Sequence, residues 1–145
     1  MASRTIIERQ WVPTGAGFAL SHPLAQTLGP VWLLVGWCGL AGLAALGWNL
    51  WILLHLGQIW QSGAMFFTVA LIGLALNLTL FLAAALAVPF LVLRRPQAVV
   101  PVWIALILTL PFSIPMMMWW ADGVRPNLIY RHRFARLVEV DYAVP

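Results

Sequence analysis

Lysine is absent from this 145-residue chain, and acids number only four. Charged residues make up 8% of the sequence, against about 25% in soluble globular chains, which excludes an ordinary solvated surface. A single cysteine, Cys38, rules out an intrachain disulfide and a thiolate-built metal centre, and its place inside an apolar run suits a small packing residue. None of the apolar runs alternates with period two, which argues against a transmembrane barrel. No GxSxG, HExxH, CxxC or P-loop pattern occurs, and no acid pair or nucleophile–base pair suggests autonomous catalysis, so no enzyme activity is expected. No charge lies deep in any apolar run, where pumps, transporters and channels usually place one; a small transporter or channel is the least favoured reading.

What fills the chain instead is apolar surface: 63% hydrophobic residues with a mean hydropathy of +0.92. Residues 64–93 run for thirty positions without a formal charge and close on Arg94-Arg95-Pro96. As a helix this run is roughly 45 Å long, more than the ~30 Å hydrocarbon core of a bilayer. A helix apolar all round has no use on a small soluble domain. The composition predicts an all-α integral membrane protein with three transmembrane helices, at about 30–56, 64–93 and 99–120. An N-terminal interfacial arm (1–29) and a polar C-terminal tail (121–145) flank this membrane domain (30–120). A bacterial inner membrane is the expected location. The N-terminal sequence has no apolar core directly behind its charges, so a cleavable signal peptide is not expected.

Within the first arm, Ser3 is positioned to cap a short helix through Trp11, with Ile7 and Trp11 four apart on one side. Ser21-His22-Pro23 interrupts the semi-apolar residues 18–28, which fits an interfacial segment. Residues 30–56 begin with a proline in the tolerated first turn. Cys38, Gly42, Ala45 and Asn49 fall on one face of this helix; Ala70, Gly73, Asn77 and Ala84 fall on one face of the next. Small residues let helix backbones approach, and an amide in hydrocarbon needs a partner, so both faces are predicted packing surfaces. Pro89 is placed to kink the exit of the second helix. Residues 57–63 form an uncharged turn between the two.

The third run, 99–120, carries Pro111 and Pro115. Thr109 and Ser113 are spaced to satisfy the carbonyls that the prolines free. Trp103 and Trp119-Trp120 stand where interfacial anchors would mark a crossing. A kinked crossing is the favoured reading; a re-entrant hairpin bending between the prolines is the rival. After it, Val138, Val140 and Tyr142 alternate with Glu139 and Asp141, a strand-like pattern suited to adding to a partner's edge.

Six of the eight arginines, Arg94, Arg95, Arg125, Arg131, Arg133 and Arg136, follow an apolar run or lie in the tail. They are expected to contact anionic headgroups or partner proteins, and not nucleic acid. With three crossings, Arg94-Arg95 and the tail arginines lie on opposite sides, so the positive-inside rule conflicts with itself. The rival hairpin removes the conflict. The short Arg94-Arg95 turn favours a cytoplasmic N-terminus.

His55 is the one histidine within an apolar run. It is a candidate axial ligand to haem or chlorophyll, although a bis-histidine site would need a second histidine from another subunit. No cofactor is required by the sequence. The leading functional expectation is a non-catalytic structural or accessory subunit of a larger membrane complex of respiratory, photosynthetic or secretion type. The alternative is the anchor of a redox complex, with His55 as ligand or the tail bordering a quinone.

Overall fold

The computed structural model describes residues 3–143, with side chains described for residues 9–138. The chain is mostly helical. In order it runs β1 (Ser3–Pro13), α1 (Ala16–Ser21), α2 (Pro23–Gln26), α3 (Val31–Leu54), α4 (Leu56–Gln61), α5 (Ala64–Val92), a 3-10 turn at Pro96–Ala98, α6 (Val99–Leu108), α7 (Ile114–Asp122), α8 (Val124–Arg131) and β2 (Arg133–Ala143). Two helical stretches, Pro23–Leu54 and Ala64–Val92, are long and apolar enough to cross a membrane.

Helices α3 and α5 pack antiparallel along one seam. Four small or short polar residues of α3, Cys38, Gly42, Ala45 and Asn49, are all buried. The α5 residues buried with them are Leu80, Ala83, Ala84, Ala87 and Leu91, all in its second half. The link between the helices is more ordered than a turn: the short helix α4 occupies most of it.

The end of α5 is closed by a left-handed residue. Arg94 has φ +54°, its N–H donates to the Leu91 carbonyl at 3.1 Å, and the Arg95 N–H donates to Phe90 at 2.8 Å. This pair of bonds is a Schellman cap with arginine where glycine usually sits, and Pro96 directly after it prevents the helix from continuing.

The third apolar run does not make one kinked helix. It breaks after ten residues of α6, turns over residues 109–113, and resumes as α7. The Thr109 hydroxyl donates to the carbonyl of Ala105 at 2.8 Å, and the buried Ser113 hydroxyl donates to that of Leu106. These bonds satisfy carbonyls left open at the end of α6. The tip lies beside the first half of α3, where Trp37 Nε1 donates to Thr109 Oγ1 at 3.2 Å. At the helical rise, that is roughly 10 Å in from Val31. From the tip, α7 returns along the first turns of α3, with Pro115, Met116 and Trp119 facing Pro30, Leu33 and Leu34. α8 then seats on the end of α5 where the run began: the Tyr130 hydroxyl donates to the Leu91 carbonyl at 2.7 Å. The run therefore doubles back toward the end of α5 from which it started, where a single kinked helix was the favoured reading. Two prolines within five residues, with hydroxyls placed to close the turn, make reversal the better-satisfied backbone.

Two further expectations change. Residues 3–11 form no helix; they belong to β1, which pairs antiparallel with β2 from Ser3↔Ala143 to Pro13↔Arg133. Thr5, Ile6, Ile7 and Val12 are β-branched and suit a strand once a partner strand exists. The ladder also takes up residues 138–142, which pair with β1 of their own chain. The fold is thus mostly helical, with a two-stranded ribbon added, where an all-α chain was expected. Side chains of Ile7, Glu139, Val140, Asp141 and Tyr142 lie outside the described residues.

Trp120 departs from its expected role as well. It is fully buried against Tyr130, ring centroids 5.2 Å apart, and anchors no interface.

Candidate functional site

Three regions carry the side chains singled out above. The first is the α3–α5 seam. A Cβ placed on Gly42 would lie 2.8 Å from the Cβ of Ala84, so the backbones meet as closely as the missing side chain allows. Seven residues further along α3 and seven back along α5, this register brings Asn49 and Asn77 to the same level. Asn77 Nδ2 donates to the Gly73 carbonyl of its own helix at 2.8 Å. The buried Asn49 Oδ1 has no hydrogen-bond partner among the described residues. Ala70, Gly73 and Asn77 are only half-buried, because the helices part toward the α4 end. An open groove of about 590 Å³ occupies that gap, walled by Trp48, Trp51, Ile52, Phe66 and Val69.

The second region is His55, which caps the C-terminus of α3. Its Nδ1 lies 2.8 Å from the Trp51 carbonyl. That contact requires the Nδ1–H tautomer, because a carbonyl only accepts, and it leaves the Nε2 lone pair free. The ring stacks on Trp51 at 4.7 Å, and Trp51 stacks on Trp48 at 5.3 Å. No group of three His, Cys, Asp or Glu able to hold a metal occurs among the described residues. His55 therefore offers one ligand atom, enough for one axial position and no more.

The third region is the arginine-bearing end. The hairpin of α6 and α7 brings α8, both strands and the Arg94-Arg95 turn to one end of the α3–α5 pair. Arg9 of β1 reaches this end as well, its Nη2 donating to the Asp122 carbonyl at 3.3 Å. The opposite end, around α4, has no formal charge. Asp122 is the one acid among the described side chains; Glu8, Glu139 and Asp141 fall in the ladder beyond its base at Pro13↔Arg133.

The six arginines singled out from the sequence divide by what they touch. Arg131 Nη1 donates to the carbonyls of Trp120 at 3.1 Å and Ala121 at 2.9 Å, and to Asn127 Oδ1 at 3.0 Å. Its guanidinium also lies 5.5 Å from the Trp120 ring centre. It caps the last turn of α7, where helix carbonyls lack partners, a role within the fold itself. Burial draws its pKa below the ordinary arginine value, Arg133 adds repulsion, and Asp122 acts in the opposite sense. Arg94 Nη2 donates to the Gln26 carbonyl at 2.8 Å and ties the Arg94-Arg95 turn to α2. Arg125 lies over Gly29, with Nη1 only 1.5 Å from where a Cβ would stand. Arg95, Arg133 and Arg136 are exposed.

Sequence reasoning missed three residues that hold this end together. Tyr130 is buried under α5, and burial raises its phenol well above the ordinary value, with Arg94 pulling the other way. Asn127 Nδ2 donates to Ala121 and Gly123 carbonyls at 2.8 and 2.9 Å, bridging α7 to α8. Gly29, at φ +48°, gives Arg125 its seat. The available signal was the position of Asn127 four residues after Gly123, a spacing at which a short amide reaches back to a helix carbonyl. Nothing local marks Tyr130 or Gly29, whose partners lie 39 and 96 residues away in the chain. Comparison with protein-family models, curated proteins and solved structures yields no match.

Proposed function

We propose that this chain is a bacterial inner-membrane protein in which α3 and α5 cross the bilayer and α6–α7 dips in from the cytoplasmic side. Both termini and all eight arginines then face the cytoplasm, and the positive-inside rule is met without conflict. Its role is that of a non-catalytic accessory subunit in a larger membrane complex.

The observation that carries this reading is the unfinished bundle. The re-entrant hairpin clothes only the arginine-bearing half of the helix pair. At the other half Trp48, Trp51, Phe66 and Val69 are exposed around an open groove, and Asn49 keeps a buried amide oxygen without a partner among the described residues. Helices associate in lipid through close packing and polar contacts, both of which another subunit would complete here. Purification from native membranes in mild detergent, followed by mass spectrometry, is the direct test. Defined co-purifying membrane subunits are the expected result; a monomer with none would end this reading.

A second reading, the redox anchor, draws on the free Nε2 of His55, since a ligating histidine usually donates its other ring N–H to a carbonyl. An absorption spectrum of the native material decides it. A haem or chlorophyll band that persists in His55→Ala removes the ligand role.

A further inference from the structure

Arg125 lays its guanidinium over Gly29, the residue next to Pro30, and Pro30 lines an apolar cleft. The cleft, about 230 Å³, runs inward between the first turns of α3 and the helix α7, lined by Pro30, Leu33, Leu34, Pro115, Met116 and Trp119. Pro30 adjoins Gly29, over which the guanidinium lies. Trp119 sits at the same rim, since the Gly123 N–H donates to its carbonyl at 2.7 Å and Arg125 follows two residues later. A second guanidinium stands nearby in the chain fold: Arg94 donates to the carbonyl of Gln26, three residues before Gly29. The single described carboxylate, Asp122, is exposed and acts on Arg131.

We propose that this place seats one anionic phospholipid, its phosphate on Arg125 and an acyl chain in the cleft. The inference rests on the membrane reading above and adds a defined ligand to it. A guanidinium presents a planar fork of donors that matches phosphate oxygens two at a time. An indole at the rim suits headgroup depth, and the wholly apolar lining suits a hydrocarbon chain. Free phosphate would leave the cleft unfilled, and a peptide would bring amides into it without partners. Arg133 and Arg136, exposed on the ribbon, supply only diffuse attraction. Gly29 is required twice over, once for its positive φ and once for the space the guanidinium fills.

Native mass spectrometry of the full chain in mild detergent, with phosphatidylglycerol or phosphatidylcholine of identical acyl chains, tests the seat. One retained phosphatidylglycerol is expected, with a preference over phosphatidylcholine of roughly tenfold, the size of a charged hydrogen-bond pair. Arg125→Gln should erase the preference and Arg125→Lys should reduce it, whereas Arg136→Gln should keep it. Met116→Trp, which fills the cleft, should lower retention of both lipids. Equal retention of the two lipids, equal losses in Arg125→Gln and Arg136→Gln, or unchanged retention in Met116→Trp would each overturn the seat. Displacement of the lipid by soluble glycerol 3-phosphate would overturn it too. Release of the chain from membranes by alkaline carbonate would instead defeat the underlying membrane reading. A chain that stays in the membrane fraction yet shows no lipid preference defeats the seat alone.

Discussion

Tyr130 donates its hydroxyl to the Leu91 carbonyl at 2.7 Å, and this bond joins the helix after the third apolar run to the last turn of the helix before it. The same carbonyl accepts the Arg94 N–H of the Schellman cap. One oxygen thus holds both the close of α5 and the return of the chain.

Tyr130→Phe removes that donor and should cost about 1 kcal/mol, measured by thermal unfolding of the detergent-solubilised chain. It should also change the response to alkali. The folded chain keeps the Tyr130 phenol protonated above its ordinary value, while an unfolded chain releases the proton near pH 10. The contribution is whole below about pH 10 and is lost as pH rises toward the folded-state value. Wild type should therefore lose stability above about pH 10 more steeply than Tyr130→Phe. Parallel curves would contradict the assignment.

The return of the third run makes a topological prediction. In a Cys38→Ala background, Gln97→Cys and Asp122→Cys should react with an impermeant maleimide only after the membrane is opened. Ser62→Cys, exposed at the α4 end, should react in intact cells. Phe112→Cys, at a tip whose side chain is 79% exposed to the surroundings of the helix pair, should resist the reagent from both sides. Labelling of Asp122→Cys together with Ser62→Cys would restore the kinked crossing.

At the seam, Gly42→Ala places a methyl 2.8 Å from the Ala84 Cβ and must push the helices apart. Overpacking of this kind costs about 1–3 kcal/mol. Ala84→Gly in the same chain should recover most of the loss, because it removes the opposing methyl. A double variant no better than Gly42→Ala would show that the contact is not where the strain falls.

Trp37→Phe keeps the aromatic body and removes the Nε1 bond to Thr109. Amide exchange over residues 109–113 should quicken while that of α5 stays as it was, since the bond secures the hairpin tip and not the helix pair. The stability change should stay within about 1 kcal/mol. Uniform quickening throughout the chain would mean that the tip is not a separate opening unit.

Legibility differs from element to element. The face through Cys38, Gly42, Ala45 and Asn49 could be read because helical periodicity records it locally, and those residues are buried against α5. The matching face of α5 was legible in register, but only Ala84 among its four residues is fully buried; the parting of the helices has no local trace. Thr109 and Ser113 were identifiable as carbonyl partners from their spacing to the prolines. The arginines were visible as a cluster, whereas the capping role of Arg131 depends on where α7 ends in space.

The sequence by itself determined two long apolar helices and a small-residue contact between them, because length, the lack of charge and a 3.6-residue period are properties of a single segment. It also determined that positive charge gathers at segment ends. Only the tertiary structure decided the rest. Residues 3–11 serve equally as a short amphipathic helix or a strand, and β2, about 130 residues away, selects the strand by supplying its hydrogen bonds. The third run can bend through or bend back, and the seat of Tyr130 under Leu91 selects the return. Both outcomes depend on contacts between distant parts of the chain, and together they gather Arg9, Arg94, Arg125 and Arg131 at one end of the helix pair.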